Sequence, residues 1–155
     1  MRTRFLSLLT AAFLVAGTFF LTGCDNTPPE NTISAEALAQ RFGGYTIVRP
    51  DSASEEEVSA AVYLRSAFEE NGYTIGLTTD WVNRGEEVPA DTLEILIGST
   101  NRPETARYTA DLRHGEFAVA REGNRYVLAG GSADATQSAC AWFIQFALPW
   151  EGEGL

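Results

Sequence analysis

The sequence predicts an α/β (α+β) fold, a two-layer sandwich in which a mixed β-sheet of about five strands carries two main helices on one face, in the order β-α-β-β-β-β-α. Three observations lead there. Short apolar, β-branched runs recur at 45–49, 73–79 and 93–97. A segment of helical periodicity separates the first two, which a right-handed crossover would make parallel neighbours. A hairpin signal near residue 123 is followed by a last apolar helix.

Taken in order, Tyr45-Thr46-Ile47-Val48-Arg49 reads as a strand stopped by Pro50. Ser54 and Glu57 have the spacing of a capping box, the hydroxyl accepting from the Glu57 amide while the carboxylate reaches back. The helix they open runs to Asn71, with Val58, Ala61, Val62, Leu64 and Phe68 at helical spacing and Gly72 as a left-handed stop. Residues 73–79 form the second strand. A polar, acidic connection at 81–91 leads to Leu93-Glu94-Ile95-Leu96-Ile97, whose apolar density predicts a central strand. A short helix is expected around 103–108. Residues 116–121 and 125–130 pair across Glu122-Gly123-Asn124, where Gly and Asn both tolerate positive φ. The glycines of Gly130-Gly131-Ser132 suit a strand-to-helix turn. The final helix runs to about Leu148, with Ala139, Cys140, Phe143, Ile144 and Ala147 on its apolar face and Asp134 and Gln137 as a second cap.

The N-terminus carries a different signal. Arg2 and Arg4 precede an apolar run at 5–20, and Leu21-Thr22-Gly23-Cys24 closes it. A charged start, a short apolar stretch and a small residue at the cut are the marks of an export signal, and the run is short for a membrane span of about 20 residues. The four-residue box resembles the processing site of bacterial lipoproteins. That resemblance implies cleavage after Gly23, a diacylglyceryl group with its fatty acyl chains on the Cys24 sulfur, and an extracytoplasmic protein anchored to a bacterial cell membrane. The expected organisation is 1–23 signal peptide, 24–43 lipidated cysteine and Pro-bearing tether, 44–149 folded domain and 150–155 tail.

Removing residues 1–23 leaves 132 residues, with nine arginines, no lysine and 21 acidic residues, for a formal charge of −12. Such a field repels nucleic acid, so no nucleic-acid partner is expected. A catalytic α/β barrel needs about 250 residues and does not fit. Cys140 is the one cysteine left beside Cys24, so an intrachain disulfide within the domain is excluded, and an apolar helical setting makes it a buried small hydrophobe.

The runs Tyr45-Thr46-Ile47-Val48, Thr79-Asp80, Glu94-Ile95-Leu96-Ile97-Gly98, Asn101-Arg102-Pro103-Glu104 and Val127-Leu128-Ala129-Gly130-Gly131 together resemble one accessory domain. It is the non-catalytic N-terminal domain that precedes the barrel in family 20 β-N-acetylhexosaminidases and family 67 α-glucuronidases. The resemblance covers roughly residues 44–148. It departs at Ser132-Ala133-Asp134, which lacks the further glycine of many hexosaminidase members. It implies an accessory module in carbohydrate metabolism that is not an enzyme, since the family's catalytic carboxylates lie in the barrel; no catalytic residue, cofactor or metal is expected.

Within that frame a glycan would be held by aromatic faces and neutral or cationic donors. Trp81 is the leading candidate, with Asn101 and Arg102 as hydroxyl partners; Tyr73, Tyr108 and Trp150 are further aromatics. Glu55-Glu56-Glu57 and Glu86-Glu87 read as solvated faces and His114 as a loop residue. Three functions stay open: a glycan- or partner-binding surface lipoprotein, a docking domain for a separately encoded glycoside hydrolase, and a small enzyme with a site of unfamiliar form.

Overall fold

The computed structural model describes residues 41–148; Cys24, the expected signal peptide, most of the expected tether, Trp150 and the expected tail lie outside them. Five strands form one sheet: β1 (Thr46–Arg49), β2 (Gly76–Thr79), β3 (Glu94–Ile97), β4 (Phe117–Glu122) and β5 (Arg125–Gly130). The spatial order is β2-β1-β3-β5-β4, with β4 antiparallel to β5 and every other pair parallel. The expected mixed sheet, the parallel β1–β2 pair and the central place of β3 are all present.

Helix α1 (Glu55–Glu70) begins at Ser54, whose Oγ accepts from Glu57 N at 3.2 Å while Glu57 Oε2 accepts from Ser54 N at 3.0 Å. Its buried stripe is Ala60, Ala61, Leu64, Ala67 and Phe68. Val62, expected inward, is exposed, because the sheet-facing stripe follows the alanines at 60, 61 and 67 and a position one residue past Ala61 points about 100° away. Gly72 takes φ +86°, as a left-handed stop requires.

The last helix, α3 (Ala133–Trp142), continues into a π-helical turn at Phe143–Ala147. Its cap is Ser132, whose Oγ accepts from Ala135 N at 3.3 Å; the expected cap at Asp134 lies two residues too far in, inside the first turn. Gly130 and Gly131 are needed for close approach rather than for positive φ. A Cβ on Gly130 would collide with the backbone of Ala135 and Thr136, and one on Gly131 with the Arg113 carbonyl. In the β4–β5 turn Gly123 alone takes positive φ, at +57°.

Pleating sends Ile47, Ile95, Ile97, Tyr126 and Leu128 to one face, where α1 and α3 cover them. Phe42, just ahead of the expected domain start, is buried there in edge-to-face contact with Phe68, Tyr73 and Phe143. Val48, Leu96, Val127 and Ala129 point to the other face. That face carries the short helix α2 (Pro103–Thr109), opened by Pro103 and packed through Tyr108. Among the described residues no helix is long and apolar enough to cross a membrane.

Candidate functional site

The chain leaves β1 for β2 on one side and returns to β3 on the other, so the order of the sheet reverses at the carboxyl ends of β1 and β3. In open parallel sheets such a reversal leaves a crevice for ligands. Here one side chain fastens that edge. Asp80 follows β2; its Oδ1 accepts from Asp51 N at 2.8 Å and its Oδ2 from Asn101 N at 2.7 Å. The Asp80 carbonyl accepts from Asn101 Nδ2 at 2.7 Å and Arg102 Nη1 at 3.3 Å. The segments after β1, β2 and β3 are therefore held by one buried aspartate. Trp81, the next residue, is left 64% exposed.

On the face that carries α2, Glu94 and Arg125 of the strands meet Arg102 and Glu104 from the start of that helix, four charges in one network. Glu94 and Arg125 are register partners on β3 and β5, and Arg125 Nε donates to Glu94 Oε2 at 2.8 Å. Arg102 Nη2 donates to Glu94 Oε1 at 2.9 Å. Arg125 Nη1 reaches Glu104 Oε1 at 2.7 Å, and its Nη2 donates to the Pro89 carbonyl at 2.9 Å. Two guanidinium groups thus enclose one carboxylate, and a second carboxylate balances the charge. Removing such charges from water is costly, and only complete pairing makes it tolerable. Burial by itself would raise the Glu104 carboxyl; its own backbone N–H, the Arg125 hydrogen bond and charge, and the more distant Arg107 together hold it below the usual glutamate value. Its second oxygen, Oε2, is buried with no hydrogen-bond partner.

Beside this network lies a cleft of about 410 Å³ between the 82–90 loop and the start of α2. Val82, Val88, Ala90 and Pro103 supply apolar wall; Asn101, Arg102, Glu104 and Arg125 supply polar groups, with Glu86 and Glu87 at the exposed side of the loop. The arrangement suits a small polar ligand with an apolar face: walls for contact, fixed donors and acceptors for orientation.

The residues read from sequence fall as follows. Asn101 and Arg102 both line the cleft, Asn101 exposed and Arg102 buried with its guanidinium turned to Glu94. Trp81 stands next to Asp80, which both of them bind. Tyr73 is in the main core, and Tyr108 is half-buried on the second face. Cys140 is buried, which pushes its thiol up to about 12, with the charge of Glu57 adding to the effect. His114, Glu55 and Glu56 are exposed, and Glu57 belongs to the capping box. Among the described residues no three His, Cys, Asp or Glu side chains come together as a metal site. Sequence reasoning missed Asp80, Glu94, Glu104 and Arg125. The available signal was Glu94 and Arg125, single charges at inward positions of two strongly apolar strands.

No family model matches the chain, and no curated protein does. Among solved structures it is similar to the structure of CpGH84D, a glycoside hydrolase family 84 protein, with 18% identity and a TM-score of 0.47. The match covers 73% of this chain and 19% of that one, so the chain spans about a fifth of that protein's length.

Proposed function

We propose that this chain is a lipid-anchored, exported accessory module, of the kind that precedes the barrel in family 20 and family 67 enzymes, and that it binds a glycan without turning it over. The observation that carries the reading is the position of Trp81. An exposed indole follows the aspartate that is fastened to Asn101 and Arg102 of the cleft and precedes Val82 of the cleft wall, so an exposed aromatic residue lies between two residues tied to a polar, partly apolar recess. Stacking on a sugar face with hydroxyls directed to fixed polar groups is the chemistry this pair of features supports. The run Leu21-Thr22-Gly23-Cys24 supports anchoring at the cell surface. Glycoside hydrolysis needs two carboxyl groups free to act across the scissile bond. Glu94 is held by two guanidinium groups and Glu104 by one, which supports binding over turnover.

The test pairs a nitrophenyl-glycoside panel, including N-acetylglucosaminides and glucuronides, with calorimetric titration of chitooligosaccharides and uronic-acid oligomers. Binding without turnover is expected, weakened about tenfold in Trp81→Ala, the scale of an aromatic contact of roughly 1.4 kcal/mol. Turnover that survives rigorous purification overturns the non-catalytic part. Silence in both assays favours docking onto a separately encoded hydrolase, for which Val62 and Tyr63, exposed side by side on α1, offer an apolar contact. Anchoring is tested by Cys24→Ser, which should abolish incorporation of labelled fatty acid; undiminished labelling overturns it.

A further inference from the structure

We infer that the cleft beside Trp81 selects an amino sugar, one that presents a free ammonium group, over a neutral sugar and strongly over a uronate. The inference rests on the glycan-binding reading and adds the ligand's charge. It follows from which charges at the cleft are already answered. Arg102 and Arg125, the two cations of the lining, are each paired to a carboxylate within 3 Å, so neither is free to hold an anion. The acids are in excess: Glu94 and Glu104 balance the two arginines, and Glu86 and Glu87 add exposed negative charge at the same cleft. A sugar carboxylate would lose water to face that surplus, whereas an ammonium would gain from it.

Glu104 supplies the specific acceptor. Oε1 is taken by Arg125, but Oε2 has no donor in the protein, and an unanswered buried oxygen gains most when a charged donor arrives. That oxygen is closed off from water, and the inference takes the 82–90 loop, which forms one wall of the cleft, as the part that gives way. The loop is fastened to the sheet end by two side chains, Arg125 Nη2 to the Pro89 carbonyl and Asn124 Nδ2 to the Asp91 carbonyl, both at 2.9 Å. Loop displacement on binding is therefore part of the inference.

The experiment titrates the full chain in neutral detergent, at low and high salt, with a glucosamine trimer, cellotriose and a glucuronic acid trimer. The glucosamine trimer should bind at least about tenfold tighter than the glucuronate, with cellotriose between, and the gap should narrow in salt. Glu104→Gln and the surface pair Glu86→Gln/Glu87→Gln should each shrink the preference; the surface pair serves where the buried change unfolds the protein. Glu55→Gln/Glu56→Gln removes two charges of the same kind at the start of α1, on the other face of the sheet, and should leave the ratio unchanged. Binding of all three sugars with equal affinity, or a ratio that falls as much in the α1 pair as in the loop pair, overturns the amino-sugar inference while glycan binding stands. Failure of all three sugars to bind overturns the glycan reading itself, and the inference with it.

Discussion

Arg125 Nε and Glu94 Oε2 lie 2.8 Å apart on register-paired positions of two parallel strands, each side chain only 4% exposed. The pair sits at the end of a buried strip of Val48, Leu96, Val127 and Ala129, flanked in register by Thr46 and Glu122, so each buried charge depends on its hydrogen-bonded partners. Glu94→Ala would leave Arg102 and Arg125 buried without their shared carboxylate. We expect a loss of about 3–5 kcal/mol, the range for breaking one side of a buried pair. Arg107→Ala removes a pair with Glu122 in which the guanidinium is 57% exposed, and should cost less than about 1 kcal/mol. Urea titrations of the two variants check the contrast; similar midpoints would show that the Glu94 network carries no special weight.

Glu104 links the same network to pH. Its carboxyl is held below the ordinary value, so the folded protein keeps this proton off at pH values where the unfolded chain takes it up. The stabilisation is complete above the unfolded-chain value near 4.5 and drains away as pH falls through the lower folded value. Glu104→Gln should therefore flatten the acid side of the stability curve while lowering stability at neutral pH. Midpoints measured from pH 7 to pH 3 decide it: an acid limb as steep as that of the parent would mean that other carboxylates carry the effect.

What the sequence disclosed divides by distance along the chain. The Ser54–Glu57 cap, the Gly72 stop and the Gly123 turn are each settled within four residues; the first two stand as read, and the turn shortens to Gly123-Asn124 because Glu122 pairs with Arg125 in the ladder. The site does not work that way. Glu94 meets Arg102 across eight positions and Arg125 across 31, and Asp80 meets Asn101 across 21. Strand register decides the Glu94–Arg125 meeting and the path of the segments after β2 and β3 decides the others, and a single sequence holds no record of either. Asn101 and Arg102 were legible as polar residues beyond a strong strand; that Arg102 would turn inward followed only from finding Glu94 beneath it. Tyr73 shows a subtler limit, for it is buried by packing against Phe42 and Phe68 while the ladder itself starts at Gly76. Apolar pattern marks burial there, not strand pairing.

Cys140 offers a direct probe of opening. Burial pushes its thiol up to about 12, so the nucleophilic thiolate is scarce at pH 8 and the sulfur is closed off from reagent. In a Cys24→Ser background it is the sole thiol, and its modification should proceed at the rate of local or global unfolding. Mild urea should accelerate it. Stability should also fall as pH rises past the ordinary thiol value of 9.0, because the unfolded chain then loses a proton that the folded chain retains until about 12. Rapid stoichiometric labelling of the native protein would contradict the packing of α3 against α1.

Gly98 and Ser54 should prove coupled although they stand on different elements. Gly98, just after β3, takes φ +65°, and a Cβ there would run into Glu57 Oε1. The same carboxylate closes the capping box through Oε2 on Ser54 N. Ser54→Ala removes one half of the box and should cost about 1 kcal/mol. Gly98→Ala should cost more, combining roughly 1–2 kcal/mol of left-handed backbone strain with displacement of the Glu57 side chain from its box. Once Ser54 has lost its hydroxyl, Glu57 is less firmly placed and gives way at smaller cost, whereas the backbone strain at Gly98 is unchanged. The double variant should therefore fall short of the sum of the singles by about 0.5 kcal/mol or more, a gap that a double-mutant cycle in urea resolves. Strict additivity would mean that the Glu57 carboxylate swings clear of an added methyl without leaving Ser54, and that the two sites do not share it.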